Sequence, residues 1–321
     1  MRIGAAENHG ARIAYSVDMG PGAHDESTVA LVALLGRTKR KWSDIRADLE
    51  ESEPQELLAR EITPDLLSDG VSEAMESATR QLEGWRREGI AVSSPYSADY
   101  PPQLRSVHDF PPILFSRGSF SPNDYESVAV VGTRAPSAGA LRFIDQVVPM
   151  MASAGHPVVS GLALGVDAAA MSASLAAGNR TVGIIGTGIN RSYPAANSDL
   201  QERVAREHLL MSQFWPDAPP TKQSFPMRNH VMSAFASMTL IVEAGENSGT
   251  RIQARAATQH ARPLILTAAV YTQTQWAKDL VARRLDVTIV SSAEETLSAI
   301  HEIRSRESLP PAWAERALSL A

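Results

Sequence analysis

The spacing of apolar positions divides the chain into four stretches. Residues 1–24 show no clear period and carry Gly and Pro near their end, which predicts a loose N-terminal arm. From Asp25 to about Trp85 the spacing is helical. Ser27-Thr28 stands before the run Val29, Val32, Leu35 and predicts a capped helix there. A second helix is expected around Trp42, Ile45 and Leu49 and a third around Leu57-Leu58, with Pro54 and Pro64 near helix starts, where proline is tolerated. These elements predict a small helical domain over 25–85. Residues 89–118 change character. A short strand, Ile90-Ala91-Val92, is followed by the proline pairs Pro101-Pro102 and Pro111-Pro112, which predict extended chain around short strands.

From Val128 onward short apolar runs alternate with Ala- and Leu-rich helical stretches. The runs are VAVVG (128–132), PVVSG (157–161), VGIIG (182–186), LLMSQF (209–214), TLIVEA (239–244), PLILTA (263–268) and VTIVSS (287–292). Strands apolar throughout and interleaved with helices mean a sheet covered on both faces. The predicted fold is therefore α/β, a mostly parallel, doubly wound sheet over 86–305, with 306–321 as a C-terminal tail. Right-handed crossovers place the carboxyl ends of the strands on one edge, where ligands bind in such sheets.

Composition narrows the function. The 321 residues contain no Cys, which excludes disulfides, thiolate metal sites and cysteine nucleophiles. There is no run of eighteen or more apolar residues and no apolar signal core, so the expectation is a cytoplasmic protein without a membrane partner. The net charge of −6 hides an asymmetry. Residues 1–127 carry thirteen basic and twenty-one acidic side chains, whereas residues 128–268 carry eleven and eight. Only the middle segment can present a positive face to phosphate.

The loops after the strands carry the candidate chemistry. The first ends Gly132-Thr133-Arg134, offering close backbone approach, a hydroxyl and a guanidinium fork. The second runs Ser160-Gly161-Leu162-Ala163-Leu164-Gly165 into a helix, so amides near Gly161 and Gly165 are expected to receive a phosphate, with Asp167 capping that helix. The spacing is not that of a dinucleotide fingerprint. The third is Gly186-Thr187-Gly188-Ile189-Asn190 followed by Tyr193-Pro194. The fourth holds Lys222, Phe225, Arg228, Asn229 and His230, and the fifth holds Glu243, Ser248, Gly249 and Thr250. Phe225 is expected on a loop and reads either as a stacking platform for a base or as a buried anchor. The eight His are scattered, and His230 and His260 lack companions at helical spacing, so neither a metal nor a cofactor is expected.

Taken together, VAVVGTRAPSAGA, VVSGLALGVDAAA, IIGTGINRSYPAAN, FPMRNHVMSA and LIVEAGENSGTRIQARAA resemble the DNA-processing protein A family (DprA, also called Smf) across residues 128–268, with YPPQLRSVHDFPPILFSRG as the lead-in. The resemblance implies an extended Rossmann-like fold that binds single-stranded DNA without catalysis, forms homodimers and helps load RecA in natural transformation and recombination. It places a sterile-alpha-motif-like domain where the helical region lies. It also implies phosphate contacts from Arg134, Lys222 and Arg228, with Phe225 stacking a base. Two departures stand out: Arg-Asn-His replaces an Arg-Asn-Arg at 228–230, and about twenty residues follow the helical stretch 293–304, too few for the winged-helix domain many relatives append. The competing reading is a nucleotide sensor or a phosphoribohydrolase-like enzyme on the same sheet. Its essential Glu has no counterpart in RIQARAATQH.

Overall fold

The computed structural model describes residues 25–62, 70–283 and 285–306. The expected arm 1–24, the tail from 307 and Pro64 lie outside the described residues. The chain forms two compact units, one running up to Glu88 and including Ser93–Ala98, the other formed by Gly89–Val92 and the chain from Asp99 onward.

The first unit is helical: α1 (Glu26–Arg37), α2 (Trp42–Leu49), α3 (Pro54–Glu61) and α4 (Gly70–Arg87). α1 is apolar nearly all round and is buried from Thr28 to Leu34, so it forms the centre, with Leu57, Leu58, Ala74, Ala78 and Leu82 packed in the same unit. Its cap differs from expectation. Asp25 accepts the Ser27 N–H at 3.1 Å, while Thr28 is buried with its hydroxyl 2.7 Å from Ser94 Oγ. Three capping-type residues in sequence left the start ambiguous, and an aspartate at the end of an extended residue took the role. Arg40, from the basic cluster at 37–41, pairs with Asp48 and Glu61.

The second unit is the sheet. In chain order it contains β1 (Ala91–Ser93), α5 (Pro102–Arg105), β2 (Leu114–Gly118), β3 (Val128–Val131), α6 (Ala138–Ser153), β4 (Val158–Ser160), α7 (Val166–Ala176), β5 (Thr181–Ile184), α8 (Ser198–Glu207) and β6 (Leu209–Ser212). It continues with α9 (Ser224–Phe235), β7 (Met238–Ile241), α10 (Thr250–Gln259), β8 (Leu264–Thr267), α11 (Ala268–Gln273), α12 (Gln275–Ala282), β9 (Val287–Val290) and α13 (Ala293–Arg306). The nine strands are ordered β1-β2-β6-β5-β4-β3-β7-β8-β9. Every pairing from β6 to β9 is parallel, and β2 joins β6 antiparallel.

The alternation within each strand explains why both faces are covered. Val128 and Val130 enter one cluster with Ile144, Val148 and Ile300, while Ala129 and Val131 enter another with Met232, Phe235 and Ala257. One correction concerns residues 101–105. Pro102 opens a single helical turn instead of extending the chain, because its fixed φ suits a first helical position and the turn buries Gln103 and Leu104.

Candidate nucleic-acid interface

The strand order reverses at β3, whose neighbours are β4 and β7. Ligands of such sheets sit at this switch point, but here the crevice between β3 and β7 is filled from within. Thr133 N–H donates to the Glu243 carbonyl at 2.7 Å, and Glu243 Oε2 accepts the Ser137 N–H at 2.8 Å, at the start of α6. A Cβ on Gly132 would lie 2.6 Å from Val166 and 2.8 Å from the Glu243 carbonyl oxygen. The open pocket therefore lies one strand over, at the carboxyl ends of β3, β4 and β5.

Its floor is built by a buried charge. Arg228, in the second turn of α9, is only 6% exposed and donates from Nη1 to the Ile184 carbonyl at 2.9 Å and from Nε to Asn229 Oδ1 at 3.0 Å. Its guanidinium lies over Gly161 so closely that a Cβ there would be 1.5 Å from Nη1. Asp167 is equally deep. Its carboxylate accepts the Gly161 N–H at 3.2 Å and lies near the amides of Ala163 and Gly132. Burial pushes the Asp167 carboxyl up, opposed by the Arg228 charge and these amides, and burial pushes the Arg228 guanidinium down, opposed by Asp167.

This arrangement revises two expectations. Gly165, at φ 81°, is the N-cap of α7, and Asp167 sits inside the first turn. Only glycine fits at 165, because a Cβ would meet the Thr133 carbonyl oxygen at 2.4 Å. The loop amide of Gly161 then points inward to the protein's own carboxylate. Ser160 is likewise turned inward, fully buried and donating to the Val130 carbonyl at 2.7 Å. The loop keeps its shape through Leu162, at φ 55°, and Asn197 Nδ2, which donates to the Leu162 and Ala163 carbonyls at 2.8 and 3.1 Å.

The rim is aromatic and cationic. Phe225 is not on a loop but is the second residue of α9, half-buried, with its ring against Gly186, where a Cβ would come within 2.8 Å of Cδ1. The Tyr193 ring lies 5.4 Å from the Phe225 ring, and the Arg134 guanidinium sits 5.8 Å from its centroid on the other contact. Tyr193 and Leu164 are each 44% exposed. Two arginines and no carboxylate line this pocket.

The remaining sequence-derived residues are placed elsewhere. Lys222 is exposed in the turn before α9, whose start is fixed by reciprocal Thr221–Ser224 hydrogen bonds near 3 Å. Thr250 begins α10 and Gly249 is its N-cap, with Ser248 Oγ accepting the Thr250 N–H at 3.2 Å, and none of the three lines the pocket. Thr133 Oγ1 accepts the Ala135 N–H at 3.3 Å. Tyr193 and Leu164, which do line it, stood in the motifs without distinguishing chemistry.

The family model for DNA recombination-mediator protein A matches residues 91–301. The chain belongs to that family. Among recombination-mediator relatives, the DNA processing protein DprA of Bacillus subtilis is 30% identical over 225 residues, which cover 69% of this chain and 76% of that protein. DprA of Streptococcus pneumoniae is 35% identical over 163 residues, 51% of this chain and 57% of the relative. The Escherichia coli protein Smf is 32% identical over 190 residues, and the match spans half of its length. The fold agrees with the X-ray structure of the Streptococcus pneumoniae DprA, at TM-score 0.65 and 24% identity, over 86% of this chain and 98% of that one. A Helicobacter pylori DprA structure, described for its single-stranded DNA binding mode, aligns at TM-score 0.58 and 24% identity over 66% and 96%. The family resemblance and the mostly parallel α/β fold expected from the sequence both hold.

Proposed function

We propose that this protein binds single-stranded DNA at the carboxyl edge of β3–β5, without catalysing a reaction, and acts as a mediator that delivers the strand to RecA. The observation that carries the reading is the cluster of Tyr193, Phe225 and Arg134, which line one pocket with the buried Arg228. Aromatic faces accept any unpaired base, and guanidinium groups meet the phosphates between them. A duplex hides its base faces and is read by elements that enter a groove, which this concave rim does not offer. Membership of a recombination-mediator family and the single-stranded DNA described for the Helicobacter pylori relative support the same ligand class.

The non-catalytic part rests on two features. α10, which follows the loop 245–249, carries no carboxylate, and the Glu243 carboxylate is engaged at the Ser137 N–H. Lys222, Asn229 and the start of α10 are assigned to the strand's path beyond the pocket. A homodimer acting in the cytoplasm completes the reading, in keeping with the family.

The test is a fluorescence-anisotropy titration of one labelled oligonucleotide, single-stranded and then annealed, at two salt concentrations. Tighter binding of the single strand that weakens as salt rises is expected. Equal affinity for the duplex overturns the proposal.

A further inference from the structure

Residue 230 lies about 200° around the helix from residue 228, so α9 turns a different face toward a second polar cluster. There, two oxygens of one carboxylate each meet an imidazole. Asp109 Oδ1 is 2.7 Å from His260 Nε2, and Asp109 Oδ2 is 2.5 Å from His230 Nδ1. The His260 ring is fully buried and is oriented from behind by Ser233 Oγ, 3.0 Å from its Nδ1. A third imidazole, His108, packs edge-on against His260 with ring centroids 5.9 Å apart. One ligand atom each from His108, Asp109 and His260 lie within 4.8 Å of one another. The groups come from the loop after α5, from α9 and from the C-cap of α10, separated by 121 and 151 positions along the chain, which is why helical spacing gave no sign of them.

We propose that His108, Asp109 and His260 form a binding site for a divalent transition cation of the zinc class, with His230 holding the second oxygen of Asp109. Two imidazoles and one carboxylate favour such an ion over calcium or magnesium, which take oxygen ligands. A tetrahedral ion with bonds of about 2.0–2.2 Å spaces its ligand atoms about 3.3 Å apart. That spacing lies between the 2.7 Å contact and the 4.8 Å bound, so the ligand atoms already stand near the separation an ion requires. The Ser233 contact is the outer partner that metal-bound histidines carry on their far nitrogen. The same atoms exclude a serine-nucleophile reading, since Ser233 is fully buried and no substrate reaches its hydroxyl. The ion would tie three separate segments together, and entry is from the side of the exposed His108.

The experiment uses the full untagged chain, stripped with a chelator and titrated with zinc against a chromophoric competitor, then with cobalt for its ligand-field absorption. One equivalent of zinc is expected, with a melting temperature raised by about 5 °C or more at a hundredfold excess over Kd. His108→Ala, at an exposed position, and Asp109→Asn should each weaken zinc binding at least about tenfold. Wild-type protein that takes up no stoichiometric zinc overturns the proposal, as does His108→Ala binding zinc like wild type. Metal uptake is read without DNA, so its outcome is independent of the strand-binding proposal.

Discussion

Gly161 and Arg228 are in direct steric contact: the guanidinium of the arginine occupies the space that any side chain at 161 would need, with Nη1 only 1.5 Å from the place of a Cβ. The pocket floor thus depends on a missing methyl group. Gly161→Ala should expel the guanidinium from its bond to the Ile184 carbonyl and leave the buried Asp167 without its partner charge. A loss of about 1–3 kcal/mol in urea unfolding is expected, the cost of unsatisfied buried polar groups, together with weaker binding of single strands. Unchanged stability and binding would mean that the arginine has no fixed place.

Asp167→Asn isolates the charge from the shape. The amide keeps the volume but removes the buried negative charge that favours the nearby buried guanidinium, so the fold should lose stability. Thermal unfolding should report it. If the pocket receives the strand as proposed, a part of the loss should return when single-stranded DNA is present at saturation.

The central strands were legible because they are short, largely apolar runs buried along their length, as in VAVV at 128–131, the pattern of a doubly covered sheet. Local signals failed where neighbours compete, as at Asp25 and Ser27, and where proline has two uses, as at Pro102. The glycines and cations of the loops marked the sheet's edge, yet sequence could not tell outward from inward. Ser160 and the Gly161 amide look ligand-facing in a loop motif and instead serve Val130 and Asp167. The cluster of Asp109, His230 and His260 had no signal at all, since its members meet only through tertiary packing.

Stability should also depend on pH through His156, away from the pocket. Its ring is buried, with Nδ1 3.9 Å from Glu126 Oε2, and burial holds its pKa below the ordinary histidine value. Glu126, which pairs with Arg304, favours the proton, while His301 and Arg304 oppose it. A group with a depressed folded pKa stabilises above its unfolded value, so stability should be full above about pH 6.5 and fall as the pH drops below it. One proton sets a slope of at most about 1.4 kcal/mol per pH unit. His156→Leu should flatten the difference between urea midpoints at pH 7.5 and 5.5, and an unaltered difference would assign the dependence to other groups.

The decisive test of the pocket is the pair Arg134 and Phe225. Arg134 is exposed and touches the ring of Phe225, so its loss should leave the melting temperature unchanged while costing about 1.5–3 kcal/mol of single-strand binding, the range of a hydrogen bond to a charged group. It should also reduce the salt slope by about one ion. Phe225→Ala should cost about 1–3 kcal/mol through lost stacking and leave the salt slope as it was. The ring is half-buried against Gly186 and Tyr193, so this variant should melt somewhat lower as well. The two changes should not add, because removing the ring also frees the guanidinium it holds. A double-mutant cycle should show coupling of about 0.5–1 kcal/mol, as expected of residues in contact. Were Phe225→Ala to melt lower yet bind the oligonucleotide like wild type, the ring would be a packing anchor for the start of α9. Strict additivity would mean that the guanidinium reaches the phosphate without the ring's support, and the strand would then have to run along β3 and not across the Tyr193–Phe225 platform.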